Sequence, residues 1–314
     1  MSPRYWVPGV LLGLLLLLSI PTLLPRYAVD LMAQGFVFAI VGMGLDILVG
    51  YLGLPSLGHV AFFGLAAYGL AIPVTRWGWA PWAGAGVGLL TAVTGAALFG
   101  LLALRCRGVY FLVSTLAFSQ VLWGAAVKWT AFSGGYNGIP GVPRPSLFGR
   151  SLWDPNAFYY FACGVFVVVA AVLVLFVTSP VGKILTGIRE SESRMRVLGY
   201  RTPLYRYLAF CLSAFITSIA GVVMAYFNGF VGPDSLHWSL SAQTLLMVIL
   251  GGAGTLLGPA GAGILLVVAQ NLISNVTERW TMVLGFLYVA TMLFAPRGML
   301  SLVRGLIPQR RPAR

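Results

Sequence analysis

Two histidines, three cysteines and seven carboxylates are all that this 314-residue chain offers for metal, nucleophilic or acid–base chemistry. Their spacing supports none of it. Cys163 and Cys211 lie in apolar runs and Cys106 sits between two arginines, without the CxxC or Cys/His spacing of a zinc site or a disulfide framework. No Ser/His/Asp set falls at helical spacing, and HExxH is absent. Gly182 and Lys183 lack the upstream glycine of GxxxxGK[ST], so the chain has no phosphate-cradling loop of that kind. The expectation is a protein with no metal, no cofactor and no catalytic residue.

Composition explains the poverty. The chain is 59% hydrophobic and 9% charged, with mean hydropathy +0.91. A soluble domain carries about 25% charged residues. Too few polar groups remain to cover a soluble surface, so the solvent is expected to be largely lipid. The net charge of +13 then reflects Lys and Arg collecting in cytoplasmic loops rather than nucleic-acid binding.

A spanning helix needs about 20 apolar residues. Ten segments qualify: 7–24, 28–50, 57–75, 81–104, 109–128, 157–178, 207–227, 243–257, 258–275 and 281–300. The first follows Arg4 and is longer than a signal-peptide core, with no A-x-A site after it, so it reads as an uncleaved span. The eighth and ninth share one apolar stretch cut by "GGAGTLLGPAG", which admits one broken helix, two short ones or a re-entrant pair. Placing both termini inside puts fourteen of the 20 basic residues in the cytoplasm, leaving Arg26, Arg76, Lys128, Arg144, Arg150 and Arg279 outside. The fold class is therefore all-α, a polytopic membrane protein with a single domain over 1–304 and a basic tail, 305–314. Segment 129–156, with "GGYNGIPGVPRP", reads as an ordered outer loop.

Two glycine-rich seams, 45–69 and 246–266, each follow an inward-running span. Their likeness suggests a parallel internal repeat. Gly50, Gly53 and Gly58 in one, and Gly251, Gly254 and Gly258 in the other, equally suit close helix packing.

Inside the spans, Asp46 is the charge to explain. It reads either as an ion or substrate contact or, the favoured reading, as a carboxylate paired with a base or a helix N-terminus. His59 reads as a hydrogen-bonded structural histidine rather than a proton relay. Candidate pathway-lining groups are Ser114, Thr115, Ser119, Gln120, Gln243, Thr244, Gln270 and Asn271; helix–helix hydrogen bonds are the competing role for each.

One stretch departs from the rest. "SPVGKILTGIRESESRMRVLGYRTPLYR", 179–206, holds eight of the chain's 27 charges. Ile184, Ile188, Met195 and Leu198 fall on one helical stripe, with Gly199 as a stop and Pro203 against continuation. One or two short amphipathic helices are expected across the cytoplasmic face. They either rest on anionic lipid or dock into a soluble partner. Glu190 and Glu192 among the bases favour docking.

This stretch and the apolar span after it resemble branched-chain amino-acid ABC importer permeases of the M type. Ile188, Arg189, Glu190, Leu198, Gly199, Tyr205, Arg206, Ala209, Phe210, Ala220, Gly221, Gly229, Val231 and Pro233 match the family pattern. "GYLGLPSLGHVAFFGLAAY", "LRCRGVYFLVSTLAFSQVL", "GGYNGIPGVPRP", "LLMVILGGAGTLLGPAGAG" and "FAPRGM" agree in order, together covering about residues 40–300. Gly187, Ser191 and Asp46 depart from the commoner residues.

The resemblance implies one half of a permease pair, completed by an H-type homologue, two cytoplasmic ATPases and a solute-binding protein, in a bacterial inner membrane. Segment 179–206 would be the ATPase-coupling loop, with Ile184, Ile188, Met195 and Leu198 as anchors and Arg189, Glu190 and Arg194 at the rim. Transport would run by alternating access. Urea or short amides are alternative solutes within the same family branch. An ATP-independent carrier or channel for small neutral solutes is the alternative of a different class.

Overall fold

The computed structural model describes residues 25–147 and 149–275, with scattered positions over 17–22 and 277–286. The first and tenth expected spans fall almost wholly outside the described residues. Within them the chain is helical, apart from two short antiparallel ribbons.

Among the described residues, seven helices are long and apolar enough to cross a membrane. We number the helices α1 (Arg26–Asp46, continued by a π-helical turn Ile47–Leu52), α2 (Val60–Trp77), α3 (Pro81–Ala103), α4 (Val109–Lys128), α5 (Pro155–Thr178), α6 (Pro180–Glu190), α7 (Glu192–Val197), α8 (Thr202–Asn228), α9 (Trp238–Gly251) and α10 (Leu257–Ser274). The α9 helix is only 14 residues long, because Gly252 turns the chain at φ 96°. The glycine-cut stretch is thus two packed helices joined by a tight turn. The α8 helix starts five residues before the expected span: Pro203 opens it in the first turn, where a missing N–H costs nothing.

The α1 helix is the hub. It packs against α10, α8, α5 and α9, while α2 packs between α3 and α8. Phe36, Ile40, Met43, Leu45, Ile47 and Leu48 on α1 are fully buried. By contrast α3, α4 and α5 expose rows of apolar residues, among them Leu90, Leu98, Val121, Val168 and Leu175. Apolar exposure on that scale belongs in lipid or under another membrane chain.

At one end of the bundle the long loop after α4 is ordered. Its strand Ile139–Pro140 pairs with Phe230–Val231 beyond α8. Arg144 fixes it: Nε donates to Tyr226 O (2.9 Å), Nη2 to Phe227 O (2.6 Å) and Nη1 to Leu152 O (3.2 Å). The guanidinium also lies over the rings of Trp153 and Phe158. A cation here satisfies the end carbonyls of α8 and complements that helix's negative pole.

The charged stretch sits at the opposite end as two helices. Ser179 caps α6, accepting from Gly182 N, and Pro180 takes the first position. Ser191 then adopts extended backbone (φ −162°, ψ 99°) and caps α7 by accepting from Arg194 N. Gly199 ends the unit at φ 88°.

Candidate functional site

The two glycine seams meet. At the C-terminal end of α1 the π-turn stops at Gly53, and opposite it lies the α9–α10 turn, Gly252–Leu256. A Cβ on Gly50 would collide with Gly254 N and with an Asp46 carboxylate oxygen, so no side chain fits. Gly251 approaches Gly258 as closely, and Gly58 lies against Thr115 O.

Asp46, fully buried, fastens the junction. Its Oδ1 accepts from Gly254 N at 2.7 Å and its Oδ2 from Leu256 N at 3.0 Å. Both donors lie just before α10, Leu256 at its N-cap and Gly254 in the turn ahead of it, where the helix pole is positive. Asp46 is therefore a carboxylate paired with a helix N-terminus, and its two oxygens are occupied by backbone. Leu256, the N-cap residue of α10, is held at φ 57°. A bulky side chain costs about 1–3 kcal/mol in that conformation, so the turn is strained where Asp46 grips it.

The coupling-loop candidate reaches this junction. Arg189, near the end of α6, donates through Nη1 to Gly50 O. Its stem packs over Gly53, where an added Cβ would stand 3.0 Å from Arg189 Cγ. Arg189 also attracts the Asp46 carboxylate. One arginine thus ties an external helix to both seams.

The apolar residues of the loop divide into two sets. Ile188 and Leu185 are buried, and Ile184 and Met195 pack on the core. Met195 Sδ would lie 2.8 Å from a Cβ at Gly187, so the thioether occupies the space that glycine leaves. Leu198 points out, 70% exposed, beside Val197 at 88%. The single stripe expected of Ile184, Ile188, Met195 and Leu198 is not continuous. The extended Ser191 resets the helical phase, so the first three face this chain and Leu198 faces away. Glu190 and Arg194 are exposed and Gly199 lies at the tip.

Glu192 makes an ion-pair network that periodicity does not reveal. It accepts from Arg196 and from Thr202 Oγ1 (3.1 Å), and Arg206 Nη1 lies 3.6 Å away. Partial burial alone would raise its pKa. The Arg196 hydrogen bond, the Arg206 charge and the Thr202 hydroxyl outweigh burial and hold the carboxyl below its usual value. The network pins α7 to the start of α8.

The polar residues singled out inside the spans are mostly engaged within the protein. Thr115 Oγ1 accepts from Leu57 N and donates to Leu112 O. Ser119 donates to Leu236 O, Ser114 to Phe111 O and Thr244 to Leu240 O. Asn271 accepts from Tyr27. Gln120, Gln243 and Gln270 are half-buried. His59 is buried with Nε2 2.9 Å from Ser213 Oγ. Because that hydroxyl donates to Gly44 O, His59 Nε2 supplies the proton, and His59 is a buried, hydrogen-bonded histidine. Among the described residues no group of three His, Cys, Asp or Glu could hold a metal ion.

Towards the outer-loop end a cavity of about 280 Å³ opens between α1, α2, α8 and α9. None of the eight polar candidates lines it. Its polar lining includes Asn228, Asp234 and Ser235, in and after the end of α8, which hydropathy does not mark.

The fold is a multi-pass helical bundle with a charged loop wired into a buried helix junction. The chain belongs to the family described as branched-chain amino acid transport system / permease component, which it matches over residues 27–296. It is 30% identical over 314 residues to the high-affinity branched-chain amino acid transport system permease protein LivM of Escherichia coli, covering 93% of this chain and 74% of the relative. The LivM protein of Salmonella typhimurium is 30% identical over 307 residues, covering 90% and 72%. No solved structure matches.

Proposed function

We propose that the chain is one transmembrane subunit of an ATP-driven importer that translocates branched-chain or other small neutral amino acids delivered by a solute-binding protein. Membership of the permease family carries the reading. Its partners are a second, homologous permease subunit of the H type, two cytoplasmic ATP-binding subunits and the solute-binding protein. Ten spans in a bacterial inner membrane, with both termini cytoplasmic and two parallel repeats, complete the arrangement.

The Arg189–Gly50 hydrogen bond supplies the mechanical link. The ATPase docks on the outward face of the loop, at Val197 and Leu198, with Glu190 and Arg194 alongside. Ile188 and Leu185 hold α6 to the bundle, so a push on α7 is delivered through α6. Arg189 passes it to the Gly50 carbonyl and hence to the junction that Asp46 closes. Nucleotide-driven closure of the ATPases then opens or shuts α1 against the α9–α10 turn.

The experiment is uptake of labelled leucine into proteoliposomes holding the complete complex, with ATP inside and binding protein outside. ATP-dependent uptake is expected. Uptake that survives without ATP and collapses with the proton gradient would mean an ATP-independent carrier instead.

A further inference from the structure

The cavity near the outer-loop end has a chemistry that selects its occupant. The geometry points to a transit site there for a solute with one ammonium group and an apolar body, held by Asp234. This rests on the proposed transport function and adds to it a site in the permease itself, separate from the binding protein.

Two observations on the cavity agree. Its walls are mostly apolar: Phe38 of α1, Phe63 of α2, Met224 of α8 and Leu240 of α9. It holds one charge, the Asp234 carboxylate, and its lining includes no cation. The C-terminal turn of α8 also borders it, through Ala225 and Asn228, but Arg144 already offsets that helix pole by donating to Tyr226 O and Phe227 O. Ser235, also in the lining, adds an acceptor: its hydroxyl donates to Gly232 O at 2.7 Å, so its oxygen keeps its lone pairs.

The one charge in the lining, Asp234, therefore favours a cation and disfavours an anion. The aromatic and thioether walls reward an aliphatic side chain. Urea and small amides have neither the charge nor the apolar body to use them. At about 280 Å³ the space is at the small end of ligand cavities, which run from about 300 to 1,000 Å³, and suits a single amino acid. Its carboxylate would point to the open mouth and stay hydrated.

Position fits transit. Phe38 and Gly50 are both on the α1 rod, and twelve residues of helix span about 18 Å. The cavity thus lies in one half of the bundle and the Asp46 junction in the other. A solute released from a binding protein meets the cavity before it meets the junction.

Saturation-transfer NMR on the complete complex in nanodiscs, without binding protein, tests the site. Leucine methyl groups are expected to receive saturation. Isoamylamine, which keeps the ammonium and loses the carboxylate, should compete. The keto acid 4-methyl-2-oxopentanoate, which keeps the carboxylate and loses the ammonium, should not. Asp234→Asn should weaken leucine by about tenfold or more, the worth of one charge-assisted hydrogen bond. Ala67→Leu, filling a lining position, should weaken leucine more than alanine. Competition by the keto acid equal to that of the amine, or no saturable leucine signal, overturns the site. If Asp234→Asn does not assemble, the competition series on the unaltered complex decides alone. Loss of the site with intact ATP-driven uptake leaves the transport function standing; absent uptake removes that function first.

Discussion

Arg189 donates a hydrogen bond to the carbonyl of Gly50, 139 positions earlier in the chain. The donor belongs to a short helix outside the bundle and the acceptor to a buried π-turn, so the bond crosses from the loop to the helix junction. Arg189→Gln removes the charge and Arg189→Lys the planar fork. Both variants are expected to assemble with the ATPase and hydrolyse ATP, while uptake falls about tenfold or more, the scale of one charged hydrogen bond. Parallel hydrolysis and uptake assays check this; unchanged uptake in Arg189→Gln would contradict it.

Asp46 closes the junction by accepting from two backbone N–H groups at once. Asp46→Leu strands both donors in an apolar site, at about 1–3 kcal/mol each. Asp46→Asn keeps one acceptor and should lose less. Thermal unfolding in detergent should therefore rank wild type above Asn above Leu. Adding Leu256→Gly should recover part of the loss, because glycine tolerates the left-handed backbone at that position.

The two faces of the loop predict opposite defects. Val197→Asp with Leu198→Asp alters only exposed surface, so the protein should insert and fold normally but fail to hold its ATPase. Ile188→Asp puts a charge where the chain itself is packed and should loosen α6, seen as faster proteolysis of the loop. Copurification and limited proteolysis separate the two outcomes. A stable Ile188→Asp protein that simply loses its ATPase would place the docking face on the other side.

Glu192 should make the loop acid-sensitive. Its folded pKa lies below the unfolded value, about 4.3 for a glutamate. Its contribution is fully present above that unfolded value and is lost as pH falls through the lower folded one. Hydrogen exchange across 192–206 should be flat from neutral pH to about 5, after correction for intrinsic rates, and rise below 4. Glu192→Gln should show raised exchange at neutral pH and no acid step.

Spans were the most legible part of this fold, because a run of about 20 apolar residues has few other uses. Their ends were not. Pro203 looks like a barrier in sequence and proves to be a first-turn residue. Gly252 ends α9 early through a positive φ that composition does not display. Asp46 was legible in kind, a carboxylate beside a helix start, but the identity of that helix needed the contact between two seams about 200 residues apart. The stripe in 179–206 misled because counting residues assumes one helix, and Ser191 breaks the phase. Asp234 gave no signal: it is an exposed acid in a polar turn, set apart only by the cavity that four distant elements form beside it.

Coupling as proposed depends above all on an ATPase gripping the outward face of this loop. Leu198→Cys, carrying a short photoactivatable crosslinker, should be expressed in the native host and the adducts identified by mass spectrometry. An adduct with a protein bearing GxxxxGK[ST] is expected, together with copurification of a second permease subunit. An isolated homo-oligomer, with Leu198→Cys crosslinked only to lipid while leucine uptake continues, would show that no ATPase sits there.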